Sequence, residues 1–299
     1  MNLVNSGKGI NANLRQNGTY GYACYSTSTG GALTLYKGVT GTTCYTTLTS
    51  VACVDGAEYT DFAKACGESG GKTVKLLQNV ESTLVLSQDL HLDLGGYSLT
   101  AEVTANGYRI YAMDSVTDTF EASDYGHLTL TGAEVSAKEG YVAAQENGTW
   151  SFHRYQLRLT AISLRPGQDA LGYRAQFFGD PVACSLVTGY GMNLTAQKTV
   201  TKTREEALEN GQSFTLRLSG ILALGGGETP ITASAFVNFA EATGTTPEHT
   251  TSLKTCILII NDKWQSLTAG QQTALRELYE TYRSTIAPWL AGRENNLEA

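Results

Sequence analysis

Leu90-His91-Leu92-Asp93-Leu94-Gly95-Gly96-Tyr97-Ser98-Leu99-Thr100 is the stretch on which the reading of this chain turns. Strand side chains have period two, so the three leucines share one face and His91 with Asp93 takes the other. Gly95-Gly96 breaks the strand, and alternation resumes beyond it. The same short unit recurs on both sides, at 73–77, 83–87, 90–94, 97–101, 108–113 and 128–131. Each run brings one apolar face to a common core and ends in Gly, Asn, Asp or Ser. Strands of three to five residues with brief polar corners are what a coiled β-solenoid needs, and a meander carries the same pattern.

Before this segment, residues 1–56 are rich in Thr, Tyr and Gly, in runs such as Ala32-Leu33-Thr34-Leu35-Tyr36 and Thr43-Cys44-Tyr45-Thr46. Thr and Tyr suit a half-buried pleated surface and Gly suits the hairpins between, so a small β region is expected. A short helix follows, because Tyr59, Phe62, Ala63 and Cys66 stand at i, i+3, i+4 and i+7, with Asp55 as a cap and Gly67 as a stop.

Beyond the segment, the long alternating run 151–162 ends at Arg165-Pro166-Gly167, and further strands are expected at 173–178, 183–195, 213–222 and 231–242. They read as a β-sandwich. Thr203-Arg204-Glu205-Glu206 matches a capping box, so one helical turn is expected to interrupt the sheet. The end is helical: Leu253, Cys256, Ile257, Ile260 and Trp264 form one apolar stripe. A second box at Thr268 and Gln271 precedes Ala274, Leu275, Leu278, Tyr279, Tyr282 and Ile286, and Pro288 closes it. The expected fold class is thus mainly β: a region at 1–56, a short helix with a β-solenoid-like segment at 57–148, a β-sandwich at 149–248, an α-helical hairpin at 249–290 and a tail at 291–299.

The 299 residues carry a formal net charge of -7, and only 16% are charged. Without a concentrated cationic face, nucleic acid is a poor partner. No stretch approaches the roughly 20 apolar residues of a membrane-spanning helix, so no membrane insertion is expected. Met1-Asn2-Leu3-Val4 lacks the pattern of a secretory signal, and the chain is expected to be a piece of a longer exported protein.

Few residues point to chemistry. His91, His127, His153 and His249 are isolated in sequence, no G-x-S-x-G pentapeptide occurs, and Gly225-Gly226-Gly227 lacks the following Lys-Ser/Thr of a phosphate cradle. Asp114, Asp118, Glu121 and Asp124 form an acidic segment that offers oxygen ligands for Ca²⁺ but lacks EF-hand spacing; a solvated loop is the simpler reading. No other cofactor is expected. Arg109 and Asp93 resemble a polysaccharide-lyase pair only loosely, since Asp93 and His91 are explained as the outward residues of a strand.

Tyr20, Tyr22, Tyr25 and Tyr45 offer ring faces for a glycan, with Tyr22 and Tyr45 as the ligand-binding candidates. The cysteines at 24, 44, 53, 66, 184 and 256 include no C-x-x-C pair. Cys44–Cys53 and Cys24–Cys66 are the pairings open to an oxidising setting, whereas Cys184 and Cys256 read as buried thiols.

The order Ala57-Glu58-Tyr59-Thr60-Asp61-Phe62-Ala63, Gly70-Gly71-Lys72-Thr73-Val74-Lys75-Leu76-Leu77, then Leu90 to Thr100, resembles a module repeated in large secreted surface proteins of Gram-positive gut bacteria. Ser151-Phe152-His153-Arg154, Ser163-Leu164-Arg165-Pro166 and the closing helix through Pro288-Trp289 extend the resemblance over roughly 57–290. It implies an exported, cell-wall-associated modular protein and carries over no catalytic residue. The expected function is a non-enzymatic extracellular or cell-surface module for adhesion, scaffolding or glycan contact, its partners being glycans or other surface proteins. A polysaccharide-degrading β-helix enzyme and a phage or appendage structural protein are the alternatives.

Overall fold

The computed structural model describes residues 14–16, 20–26, 33–39, 42–48, 50–121, 124–164, 168–195 and 199–298; for the first four strands and for residues 199 and 200 it describes the backbone alone. The described chain is mainly β, with several sheets and a helical C-terminal part. It divides into two units, residues 1–154 and 155–299.

The first unit opens with an antiparallel meander, β1 (Leu14–Gln16), β2 (Tyr20–Ser26), β3 (Leu33–Val39) and β4 (Thr42–Leu48). Next comes a hairpin of β5 (Ala52–Val54) and β6 (Ala57–Tyr59). Asp55 and Gly56 join them with φ of +50° and +82°, the paired left-handed conformation that an Asp-Gly turn adopts. The helix therefore starts later than the apolar spacing suggests: α1 spans Phe62–Gly67, and Asp61, not Asp55, caps it by accepting from the Lys64 N–H at 3.1 Å. Tyr59 belongs to the hairpin.

Then follow β7 (Thr73–Leu76), β8 (Val80–Val85), β9 (Leu90–Asp93), β10 (Leu99–Thr104), β11 (Ile110–Met113), β12 (Leu128–Thr131) and β13 (Val135–Ala137). Successive strands go to different sheets. The odd strands β7-β9-β11-β13 lie side by side and parallel, and the even strands β8-β10-β12 form a second parallel set. Register stacks like on like: Val74, Leu92 and Ala112 in one row, Val80, Leu99 and Leu128 in another. These residues and their neighbours form one core, joined by Phe62, Ala65 and Cys66 of α1. Each fully buried Leu of such a row stabilises by about 1.5–3 kcal/mol.

The polar corners tie each turn of chain to the next. Asn79 Oδ1 accepts from the Ser98 N–H at 2.8 Å, and Asp89 Oδ1 from the Arg109 N–H at 3.0 Å. Asn106 donates to the Leu86 carbonyl at 2.9 Å. A corner residue thus satisfies backbone groups that the strand ladders leave unpaired.

After β14 (Tyr141–Glu146), the chain crosses between units within β15 (Thr149–Leu164), whose first part pairs with β14 and β12 and whose second part, from Tyr155, pairs with β16. In the second unit, β16 (Ala170–Gly179) also pairs with β19 (Ser213–Ser219). A second antiparallel set joins β17 (Val187–Thr195) to β18 (Thr199–Arg204) and β20 (Ile231–Phe239), with β21 (Thr243–Thr245) and β22 (His249–Thr251) also on β20. Aromatic rings connect the two sets: Tyr155 to Phe239 at 4.9 Å and Tyr190 to Phe214 at 4.7 Å between centroids.

Two local expectations are corrected here. Residues 183–195 are not one strand, because Asp180 caps and Pro181 starts the short helix α2 (Pro181–Ser185) before β17 begins. Thr203 starts no helical turn; it pairs with Gly191 inside β18, while Glu206 binds Arg204 and the Tyr190 hydroxyl.

At the C-terminal end, Ser252 caps α3 (Leu253–Asp262), and Thr268 with Gln271 forms the expected capping box of α4 (Ala269–Thr281). After α5 (Arg283–Ile286), a 3₁₀ turn admits Pro288 in its first positions and continues to Leu290. The tail is held against α3: Asn261 Nδ2 donates to the Glu294 carbonyl at 2.8 Å, Asn261 Oδ1 accepts from the Asn296 N–H at 3.1 Å, and Leu297 is buried.

Candidate functional site

Parallel pairing puts the outward residues of the odd strands in straight rows about 4.8 Å apart. One row reads Thr73, His91, Tyr111 and Ser136, each directly opposite the next. The His91 and Tyr111 rings stack, with centroids 5.3 Å apart and 19° between planes. Because the two rings cover each other's faces, the row presents its polar edges outward: imidazole nitrogens, a phenol and two hydroxyls.

A cleft of about 510 Å³ lies against this row, lined by Asp55, Gly71, Lys72, Thr73, His91 and Lys138. Lys138, just past the last odd strand, brings its ammonium to the Thr73 hydroxyl at 3.4 Å. At the other end Lys72 and Asp55 pair at 2.5 Å. Hydrogen bonding and charge from Lys72 hold the Asp55 carboxyl below its usual range, and Asp55 likewise raises the Lys72 ammonium. Both side chains are largely exposed, so the pair adds little to stability.

The residues singled out from sequence fall elsewhere. Asp93 is not simply an outward solvated residue. It is buried at a corner, where Oδ1 accepts from the Gly95 N–H at 3.0 Å and the Ser115 N–H at 2.9 Å, with Lys75 at 3.5 Å. Asp114 is fully buried: Oδ1 accepts from Gly96 and Val116, and Oδ2 accepts from Gly126. Burial raises its pKa, the three N–H donors oppose that, and the Asp93 charge adds to it.

Asp118 accepts from the Tyr141 hydroxyl and lies 3.9 Å from Arg154. Glu121 and Asp124 are exposed. Among the described residues, no group of three or more His, Cys, Asp or Glu is placed to hold a metal ion. Arg109 pairs with Glu134 at 2.9 Å.

Tyr22 lies on β2 and Tyr45 on β4, where Tyr45 faces Tyr36 across the ladder, but the side chains of both lie outside the described residues, as do those of Tyr20, Tyr25, Cys24 and Cys44. Cys53, Cys66, Cys184 and Cys256 are free thiols. Cys66 is buried and its thiol is pushed up to about 12, first by burial and then by the Asp61 charge. Cys184 and Cys256 are only partly buried, on α2 and α3, in place of the core positions expected.

Sequence reasoning placed His91 outward but missed Lys72, Tyr111 and Lys138 as its neighbours. The alternation through Tyr111 was a usable signal; the register that aligns it with His91 was not.

Among the described residues, no helix is long and apolar enough to cross a membrane. No protein-family model and no curated protein sequence matches this chain. A solved structure of Parabacteroides merdae β-glucuronidase is similar over 35% of this chain and 15% of its own, at 13% identity and a TM-score of 0.25. The chain spans only that small share of the enzyme's length, and so faint a likeness carries no argument about fold or activity.

Proposed function

We propose that the chain is a non-catalytic, extracellular surface module that contacts glycans through the outer face of its parallel strands. On this reading the first unit is a two-sheet β-solenoid with β5, β6 and α1 closing its start, and the second is a β-sandwich carrying a helical hairpin.

The observation that carries the proposal is the Thr73-His91-Tyr111-Ser136 row beside an open cleft. Its polar edges repeat at the strand spacing, which is about the length of one sugar ring, so an extended oligosaccharide meets a donor or acceptor at each residue. The corner carboxylates favour binding over catalysis. Asp93 and Asp114 are occupied by backbone N–H groups, whereas hydrolysis of a glycosidic bond asks for two carboxyls facing one substrate.

Calorimetric titration with linear oligosaccharides tests this. Binding that falls at least about fivefold in His91→Ala and Tyr111→Ala, at unchanged melting temperature, is expected from the loss of one hydrogen bond each. No binding by the native protein would sink the reading, and release of new reducing ends during the titration would replace it with an enzyme.

A further inference from the structure

We infer that the cleft selects a carboxylated sugar, with Lys138 as the contact for its carboxylate; this rests on the glycan-binding reading above. The other lysines on this face are engaged: Lys72 pairs with Asp55, and Lys75 sits 3.5 Å from Asp93 and 3.0 Å from the Ser115 hydroxyl. Lys138 has no carboxylate partner among the described residues. Its nearest hydrogen-bond partner is the neutral Thr73 hydroxyl, at a distance of 3.4 Å. An ammonium has three donors and gains most from an anionic acceptor.

The Lys138 stem is half-buried, which limits how far the ammonium can turn toward water. Around it stand the Thr73 hydroxyl and the His91 imidazole, hydrogen-bonding groups suited to sugar hydroxyls. Asp55 is the cleft's carboxylate and is neutralised by Lys72, which leaves Lys138 as the cation in this cleft toward which an incoming anion is drawn. In a chain of net charge -7 the cleft is therefore a local cationic exception.

The experiment is calorimetry on the full chain with a linear glucuronate trisaccharide and the glucose trisaccharide of the same linkage, which differ only in the carboxylate. The glucuronate is expected to bind tighter, and Lys138→Gln to cut the ratio of the two affinities about tenfold, as loss of one charge-assisted hydrogen bond does. Lys138→Arg is expected to keep the preference, and added salt to erode it in the native protein. Equal affinity of the native protein for the two sugars, or a preference untouched by Lys138→Gln, overturns the inference while leaving glycan binding in place. Failure of both sugars to bind overturns both. The salt titration needs no variant, and a preference that survives added salt overturns the inference even where Lys138→Gln does not fold.

Discussion

The Asp114 carboxylate accepts a 2.6 Å hydrogen bond from the backbone N–H of Gly126, twelve residues further along the chain. A Cβ at position 126 would stand 2.1 Å from the Tyr97 carbonyl oxygen and 2.8 Å from the Leu94 Cβ, so only glycine fits there. The contact closes the excursion between β11 and β12 on the side of the core.

Asp114→Asn retains one acceptor oxygen but points an NH₂ at one of the three N–H donors. It should destabilise by about 1–3 kcal/mol in urea unfolding. The pH dependence carries a definite sign. Burial raises the folded-state pKa of Asp114 above the unfolded value, so its contribution is fully present below the unfolded pKa and lost as pH rises through the folded one. The advantage of the native protein over Asp114→Asn should therefore shrink with rising pH above the ordinary carboxylate range. A growing advantage would mean that the N–H donors outweigh burial.

Leu92 lies fully buried between Val74 and Ala112 in the stacked row. Leu92→Ala should cost about 2–5 kcal/mol through lost burial and the cavity left behind. Val85 is 70% exposed on the same unit, and Val85→Thr should change stability by less than about 0.5 kcal/mol. Equal melting temperatures for the two variants would show that the row is not the core.

Asn261→Ala removes the side-chain bonds that hold Glu294 and Asn296. Loss of about 1–3 kcal/mol is expected, together with faster amide exchange in residues 293–298. Unchanged exchange there would mean that Leu297 alone anchors the tail.

Among the described cysteines, thiol labelling near neutral pH should be slowest at Cys66, whose thiol burial pushes up to about 12, and faster at the partly exposed Cys53. Burial also raises the Cys184 and Cys256 thiols, the second opposed by the Thr251 hydroxyl, so both should react slowly. Peptide mapping after a short maleimide pulse measures the order; rapid labelling of Cys66 before Cys53 would contradict the placement of α1.

What could be read beforehand was whatever repeats within one strand or one helix turn. Alternation in Leu90-His91-Leu92-Asp93 gave its buried face, and Thr268 with Gln271 gave a helix start, because both signals are local. Asp55-Gly56 was also legible as a hairpin turn, but the helical spacing from Tyr59 competed with it. Asp180-Pro181 held a cap and a first-turn proline inside what read as one strand. The cleft was hidden for a different reason: Thr73 and Lys138 are 65 residues apart, and only parallel register sets them on one face. A strand's own pattern names its inward side and is silent about its neighbours.

The corner between β11 and β12 has an engineering consequence. The equivalent passage from β9 to β10 needs only Leu94 to Ser98, yet β11 to β12 runs from Asp114 to His127 and still delivers Leu128 opposite Leu99. Chain length at this corner is uncoupled from register, because Asp114 and Gly126 pin its ends and closure entropy grows only with the logarithm of length. A foreign peptide, such as an epitope or a fluorophore-binding tag, spliced between Glu121 and Asp124 would ride on the scaffold without shifting a strand, which makes this corner the natural place to display cargo.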